Sequence, residues 1–238
     1  PIRCTAISSA IKNIEIENPE VQSLILSSSN PSILSAGLDL MELNNPSSDR
    51  LPKFWNSFQQ LYLDLYGSRL ALIAAIEGHA PAAGCMLAMA CDYRIMAVDD
   101  GNKSANPTIG LNETRFGITA PSWLGELMIR TIGFRNAEQA LQLGTLFTPK
   151  EALNVGLVDE IVAKESVLEK CQETALFWSN LPPHARVSSK MLARKRFIDD
   201  LTSPTRRRED TEHFCNFIQS DEVQHGLTLY LAKLKHKE

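Results

Sequence analysis

Four short, largely apolar stretches, each too short to be a helix, read as strands at residues 21–26, 72–76, 93–97 and 157–162. Helical periodicity fills the stretches between them. Residues 4–17 carry Ala6, Ile7, Ala10, Ile11 and Ile14 at helical spacing. Residues 54–70 carry Trp55, Phe58, Leu61 and Leu65 along one side, a stripe that serves either as core or as the wall of an apolar tunnel. Helices are also predicted over 85–90, 123–132, 137–143, 149–154 and 166–180. Strand, loop and helix in repeated order specify an α/β core. Leu181-Pro182-Pro183 is the clearest break, and only helical segments follow it, among them 223–234 with Leu227, Tyr230 and Leu231. The predicted division is a core over 1–180 and a helical region over 181–238, with no sequence repeat of fixed period.

A chain of 238 residues with 44% hydrophobic content can bury a sizeable core. Its net charge of −4 argues against nucleic-acid binding. One basic cluster, Arg194-Lys195-Arg196 followed by Arg206-Arg207-Arg208, reads either as a solvated helix face or as a contact for an anion such as phosphate. Five cysteines without a CxxC pair fit free thiols in a reducing compartment, and the five scattered histidines predict no metal site. No run approaches the ~18 apolar residues of a membrane span. The chain opens on Pro1 with no signal or transit segment in view, as a processed or shortened chain would, and His236-Lys237-Glu238 does not match a peroxisomal signal. Residues 99–106 are polar and predicted to be exposed.

Two loops share one design. Ser35-Ala36-Gly37-Leu38-Asp39 and Ala80-Pro81-Ala82-Ala83-Gly84-Cys85 both follow a strand and consist largely of small residues. Small side chains let backbone N–H groups approach a ligand, and at a helix start those groups lack intrahelical partners. Such loops either permit close packing or converge on one carbonyl oxygen as an oxyanion hole. Asn112-Glu113 lies among Ile109, Leu111, Phe116 and Ile118. Glu113 is either a surface carboxylate at a strand end or a desolvated one whose raised pKa suits a base.

Together, Ser35-Ala36-Gly37-Leu38-Asp39-Leu40, Ala82-Ala83-Gly84-Cys85, Cys91-Asp92-Tyr93-Arg94-Ile95 and the run from Gly110 to Ile118 resemble the crotonase (enoyl-CoA hydratase/isomerase) superfamily, in order and in separation. The resemblance runs from about Pro19 to the end. It implies a spiral of ββα units with a C-terminal helical element, an acyl-CoA substrate with no separate cofactor, a homotrimer, and a place in the mitochondrial matrix. It also implies oxyanion donors at the Leu38 and Ala83 N–H groups and a catalytic Glu113. Ser35, Ala36, Gly37, Leu38, Asp39, Leu40, Ala83, Gly84 and Asn112 would bind substrate. The superfamily's hydratases carry a second glutamate where this chain has Met86, so the resemblance favours an isomerase that shifts a 3-enoyl-CoA to its 2-trans isomer. A hydratase, a non-catalytic acyl-CoA-binding relative and an RNA-binding relative are the alternatives. Two departures are Ala83, where glycine is usual, and the absence of the two strands that normally precede the first helix. The second predicts an exposed sheet edge and weaker CoA binding.

Overall fold

The computed structural model describes residues 2–99 and 106–235. Helix α1 (Ile2–Glu17) leads into strand β1 (Ser23–Leu26), then helix α2 (Arg50–Tyr66), strands β2 (Ala71–Ile76) and β3 (Ala80–Pro81), and helix α3 (Ala83–Ala90). Strands β4 (Tyr93–Val98) and β5 (Ile109–Gly110) follow, then helices α4 (Ser122–Ile132), α5 (Phe134–Leu143) and α6 (Pro149–Val155). Strand β6 (Glu160–Ala163) and helix α7 (Val167–Ser179) close the core, and α8 (Pro183–Thr202), α9 (Pro204–Ile218) and α10 (Asp221–Lys235) follow.

Two sheets give the spiral. The larger is parallel, in the order β1-β2-β4-β6. The smaller pairs β3 with β5, Ala80 opposite Ile109 and Pro81 opposite Gly110, and bridges from Ile33 to His79 and from Phe147 to Ile109 extend it. The turns begun by β1, β2 and β4 therefore each take a strand of the large sheet, a short extended segment of the small layer and a helix, and β6 passes directly to α7. The period lies in the backbone, not in the residues. Strand β2 is buried at all six positions and is apolar throughout, as a central parallel strand must be. Among the described residues β1 pairs only with β2, and the edge expected from the sequence is present.

Three expectations need correction. The long helix runs over Arg50–Tyr66, not 54–70. Pro52 fits in its first turn, where no intrahelical N–H is needed, and at the other end Glu15 of α1 takes the Ser68 hydroxyl and the Arg69 N–H at 2.6 and 2.9 Å. The last strand begins at Glu160, not Leu157. Leu157 and Val158 are buried, but their N–H groups bond to Ala152 in the cap of α6, so they are the apolar seal of a helix end. The basic cluster is not one solvated face. Arg194 binds Asp92, and Arg207 donates to Gln59, Gln60 and the Asn56 carbonyl on α2. Only Lys195, Arg206 and Arg208 pair with exposed acids.

The stripe Trp55, Phe58, Leu61 and Leu65 is core: all four are at most 3% exposed. Asp210 of α9 accepts from the indoles of Trp55 at 2.7 Å and Trp123 at 3.4 Å and from Gln59 at 2.7 Å, fastening α2 and α4 to the helical region. The five cysteines are free, and no cluster of metal-ligating side chains occurs among the described residues. No described helix is long and apolar enough to cross a membrane. Of the polar stretch 99–106, residues 100–105 lie outside the described residues.

Candidate active site

The two small-residue loops meet at the carboxyl ends of β1 and β2. Leu34 N–H donates to the His79 carbonyl at 2.8 Å, and His79 N–H to Ser32 at 3.0 Å, so the first loop is stitched to the second. A Cβ on Gly84 would stand 2.6 Å from the Ser35 carbonyl oxygen, and one on Gly37 would stand 3.1 Å from the Ala82 Cβ and 3.7 Å from the Ala83 nitrogen. Glycine at these two places is what allows the loops to touch. Ala82 sits at φ 51°, ψ −118°, a conformation that costs a residue with a Cβ about 1–3 kcal/mol. It is held there from both sides: its N–H donates to the Gly110 carbonyl at 2.8 Å and its carbonyl accepts from Met86 N–H at 3.1 Å. This strained residue turns the chain into α3, whose first residue is Ala83. The Ala83 N–H therefore lacks an intrahelical acceptor. Leu38 N–H makes no hydrogen bond among the described residues.

The bond from Ala82 to Gly110 carries the site onward, because Glu113 lies three residues past Gly110. Asn112 precedes a 3-10 turn over Glu113–Phe116, which Gly117 ends. Glu113 is thus in a turn, not at a strand end. Leu38, Leu40, Phe116 and Ile118 pack in one apolar cluster with Leu51, Phe54 and Leu227. Tyr230 of α10, one turn on from Leu227, brings its ring centroid to 4.4 Å from that of Phe116. Leu111, one side of the approach to Glu113, is 1% exposed.

Burial drives the Glu113 carboxyl up from 4.5 to about 7, its own backbone N–H opposing the shift weakly. Its Oε2 is buried and has no hydrogen-bond partner among the described residues, nor does Oδ1 of buried Asn112. The Glu113 charge, second to burial, also raises the Cys85 thiol, so the carboxylate lies within electrostatic reach of the first turn of α3. A cavity of about 250 Å³ opens beside Glu113, lined by Leu111, Thr114, residues 119–122, Gly125, Leu141 and Gln142. Glu113 is its one ionisable lining group. Met86 is fully buried in the core.

Of the residues singled out in the sequence, Ser35, Gly37, Ala83 and Gly84 share one contact, Leu38 packs beside it, and Asn112 and Glu113 join through Gly110. Ala36 and Asp39 are exposed. The Asp39 side chain accepts from Met41 N–H at 3.0 Å and caps the turn Leu40–Glu42, where Leu40 lies. The cavity wall from α4 and α5 carries no motif in the sequence. Gly125, a poor helix former placed inside a helix, is the one signal that marks it.

A family model described as enoyl-CoA hydratase/isomerase matches residues 4–238. The chain is 46% identical over 225 residues to rat (Rattus norvegicus) "Enoyl-CoA delta isomerase 1, mitochondrial", covering 94% of this chain and 75% of that protein. The human protein of the same name is 43% identical over 227 residues, with 94% and 72% covered. The crystal structure of human mitochondrial delta3-delta2-enoyl-CoA isomerase superposes with a TM-score of 0.92 at 41% identity, over 99% of this chain and 88% of that one. With two linked small-residue loops, one desolvated glutamate and a match over nearly its whole length, the chain belongs to the enoyl-CoA hydratase/isomerase family.

Proposed function

We propose that the chain is a Δ3,Δ2-enoyl-CoA isomerase of unsaturated fatty acid β-oxidation, acting in the mitochondrial matrix, with Glu113 as its single proton shuttle. The observation that carries this reading is Glu113 itself: a carboxylate with a pKa of about 7, alone among the ionisable groups of its cavity. Thioester oxygen lies between the N–H groups of Leu38 and Ala83, and the loop from Ser35 to Leu40, with Gly84 and Asn112, borders the acyl-CoA. Glu113 removes a proton from C2. The electron pair left behind spreads through the 3,4-double bond and onto the thioester oxygen as a dienolate, where the two N–H groups stabilise it; one such donor is worth about 3 kcal/mol of barrier. Glu113 returns the proton to C4 and a 2,3-double bond forms. Atoms and charge balance without a cofactor. Hydration needs a second proton-handling group, and buried, apolar Met86 supplies none.

The mitochondrial names of the rat and human relatives support the compartment. Leu176 and Phe177 of α7, each 65% exposed, and Leu192 of α8, 90% exposed, give apolar surface for association as a homotrimer. The test of function is incubation with 3-hexenoyl-CoA and 3-dodecenoyl-CoA, followed at the absorbance of the conjugated 2-enoyl thioester. The band should rise and persist. Its rise and subsequent decay would show a hydratase activity beside the isomerase, and no rise with either substrate would overturn the isomerase reading.

A further inference from the structure

Three cations meet at the end of the large sheet remote from Glu113. Arg186, Lys190 and Arg194 lie on one face of α8 and reach the residues that enter the strands. Arg186 Nη2 donates to the carbonyls of Arg69 at 2.8 Å and Gln22 at 3.3 Å. Lys190 Nζ donates to the Leu70 carbonyl at 2.9 Å and to Asp92 at 2.7 Å, and Arg194 lies 3.0 Å from the other Asp92 oxygen. Gln22, Leu70 and Asp92 all precede strands, whereas the loops and Glu113 follow the strands' carboxyl ends. The six residues of β2 put the two places about 20 Å apart.

Asp92 is the single carboxylate set among these cations, and it is already committed. Besides Lys190 and Arg194 it accepts from Leu72 N–H at 2.8 Å. Nothing remains for Arg186, which is 8% exposed and whose Nε and Nη1 are buried without a partner among the described residues. A buried cation with no carboxylate of its own is costly unless an anion neutralises it. Burial accordingly holds Arg186 below its ordinary range and Lys190 down to about 8. Beside these groups lies a cavity of about 520 Å³, lined by the three cations and the already paired Asp92 together with Ser189, Trp178 and Leu181 among others.

We propose that this cavity is an oxyanion-binding site, separate from the active site, in which the uncompensated charge of Arg186, beside Lys190 and Arg194, holds a carboxylate or phosphate group. Binding there neutralises excess positive charge at the joint between α8 and the sheet and so stabilises the folded chain. The experiment is thermal unfolding of the full chain at fixed ionic strength, with chloride replaced by inorganic phosphate in one series and by hexanoate in another. At ten times its Kd, an anion that binds only the folded chain raises Tm by about 3–6 °C. A rise with phosphate alone assigns a phosphate group; a rise with hexanoate alone assigns a carboxylate on an apolar stem. Arg186→Gln should abolish the rise. Ser189→Glu, one helical turn along on the same wall, places a tethered carboxylate beside the cations. It should raise Tm in chloride and remove the response to the added anion, which keeps the test decisive if Arg186→Gln does not fold. No rise in the unaltered chain, or an equal rise in both variants, overturns the proposal.

Discussion

Glu113 trades stability for reactivity. Its carboxyl titrates near 7 in the folded chain against an ordinary 4.5, so between those values the folded state holds the proton more tightly than the unfolded state. Stability contributed by the protonated form is complete below about pH 4.5 and is lost as pH rises to about 7. Above that, folding bears a cost of order 1–3 kcal/mol. Glu113→Gln should therefore be more stable than the unaltered chain at pH 8 and equal to it near pH 4.5, as urea unfolding at the two pH values will report. Since the base must be ionised, kcat/KM should climb through an apparent pKa of about 7 and level above it. A limb near 4.5 would mean that Glu113 is solvated when it works.

At the scale of elements, the site depends on backbones brought into contact. Gly84→Ala would drive a Cβ to within 2.6 Å of the Ser35 carbonyl and wedge the two loops apart. It should lower kcat/KM by about 10²-fold, the usual result of misplacing a reacting group by about an ångström. Ala82→Gly should cost no stability despite the added freedom of the unfolded chain, because it relieves a strained φ. Gly125→Leu fills the cavity between α4 and α5, where a Cβ alone would already lie 3.7 Å from Leu141 Cδ1. Turnover of 3-dodecenoyl-CoA should fall more than that of 3-hexenoyl-CoA; equal losses would place the acyl chain elsewhere.

Much of this scale was legible in the sequence. Apolar runs marked β2 and β4, and the small residues at 35–38 and 82–84 marked both loops. The short strands β3 and β5 were not legible, since two residues such as Ala80-Pro81 carry no periodicity. Those strands link the second loop to Glu113, which is why Glu113 remained ambiguous from its neighbours alone. Leu157 and Val158 misled because an apolar pair sealing a helix end and one entering a strand have the same composition.

Across the whole molecule, Asp92 is the joint between the α/β core and the helical region. It receives Lys190 and Arg194, while Lys190 also caps the Leu70 carbonyl at the entrance to β2 and Arg194 the Tyr66 carbonyl at the end of α2. Asp92→Asn leaves two buried cations uncompensated and should cost about 3–5 kcal/mol, a fall of roughly 10 °C in Tm. Asp210 makes the corresponding joint to α2 and α4. Light scattering should give three copies per particle, and a monomer at micromolar concentration would contradict the proposed trimer.

In the proposed mechanism one carboxylate, Glu113, performs both proton transfers. The most direct test is Glu113→Gln with 3-hexenoyl-CoA, measuring turnover and, by calorimetry, binding of the same acyl-CoA. Turnover should fall by about 10³-fold or more with Kd changed by less than about threefold. Near-normal turnover in that variant would show that another group moves the proton.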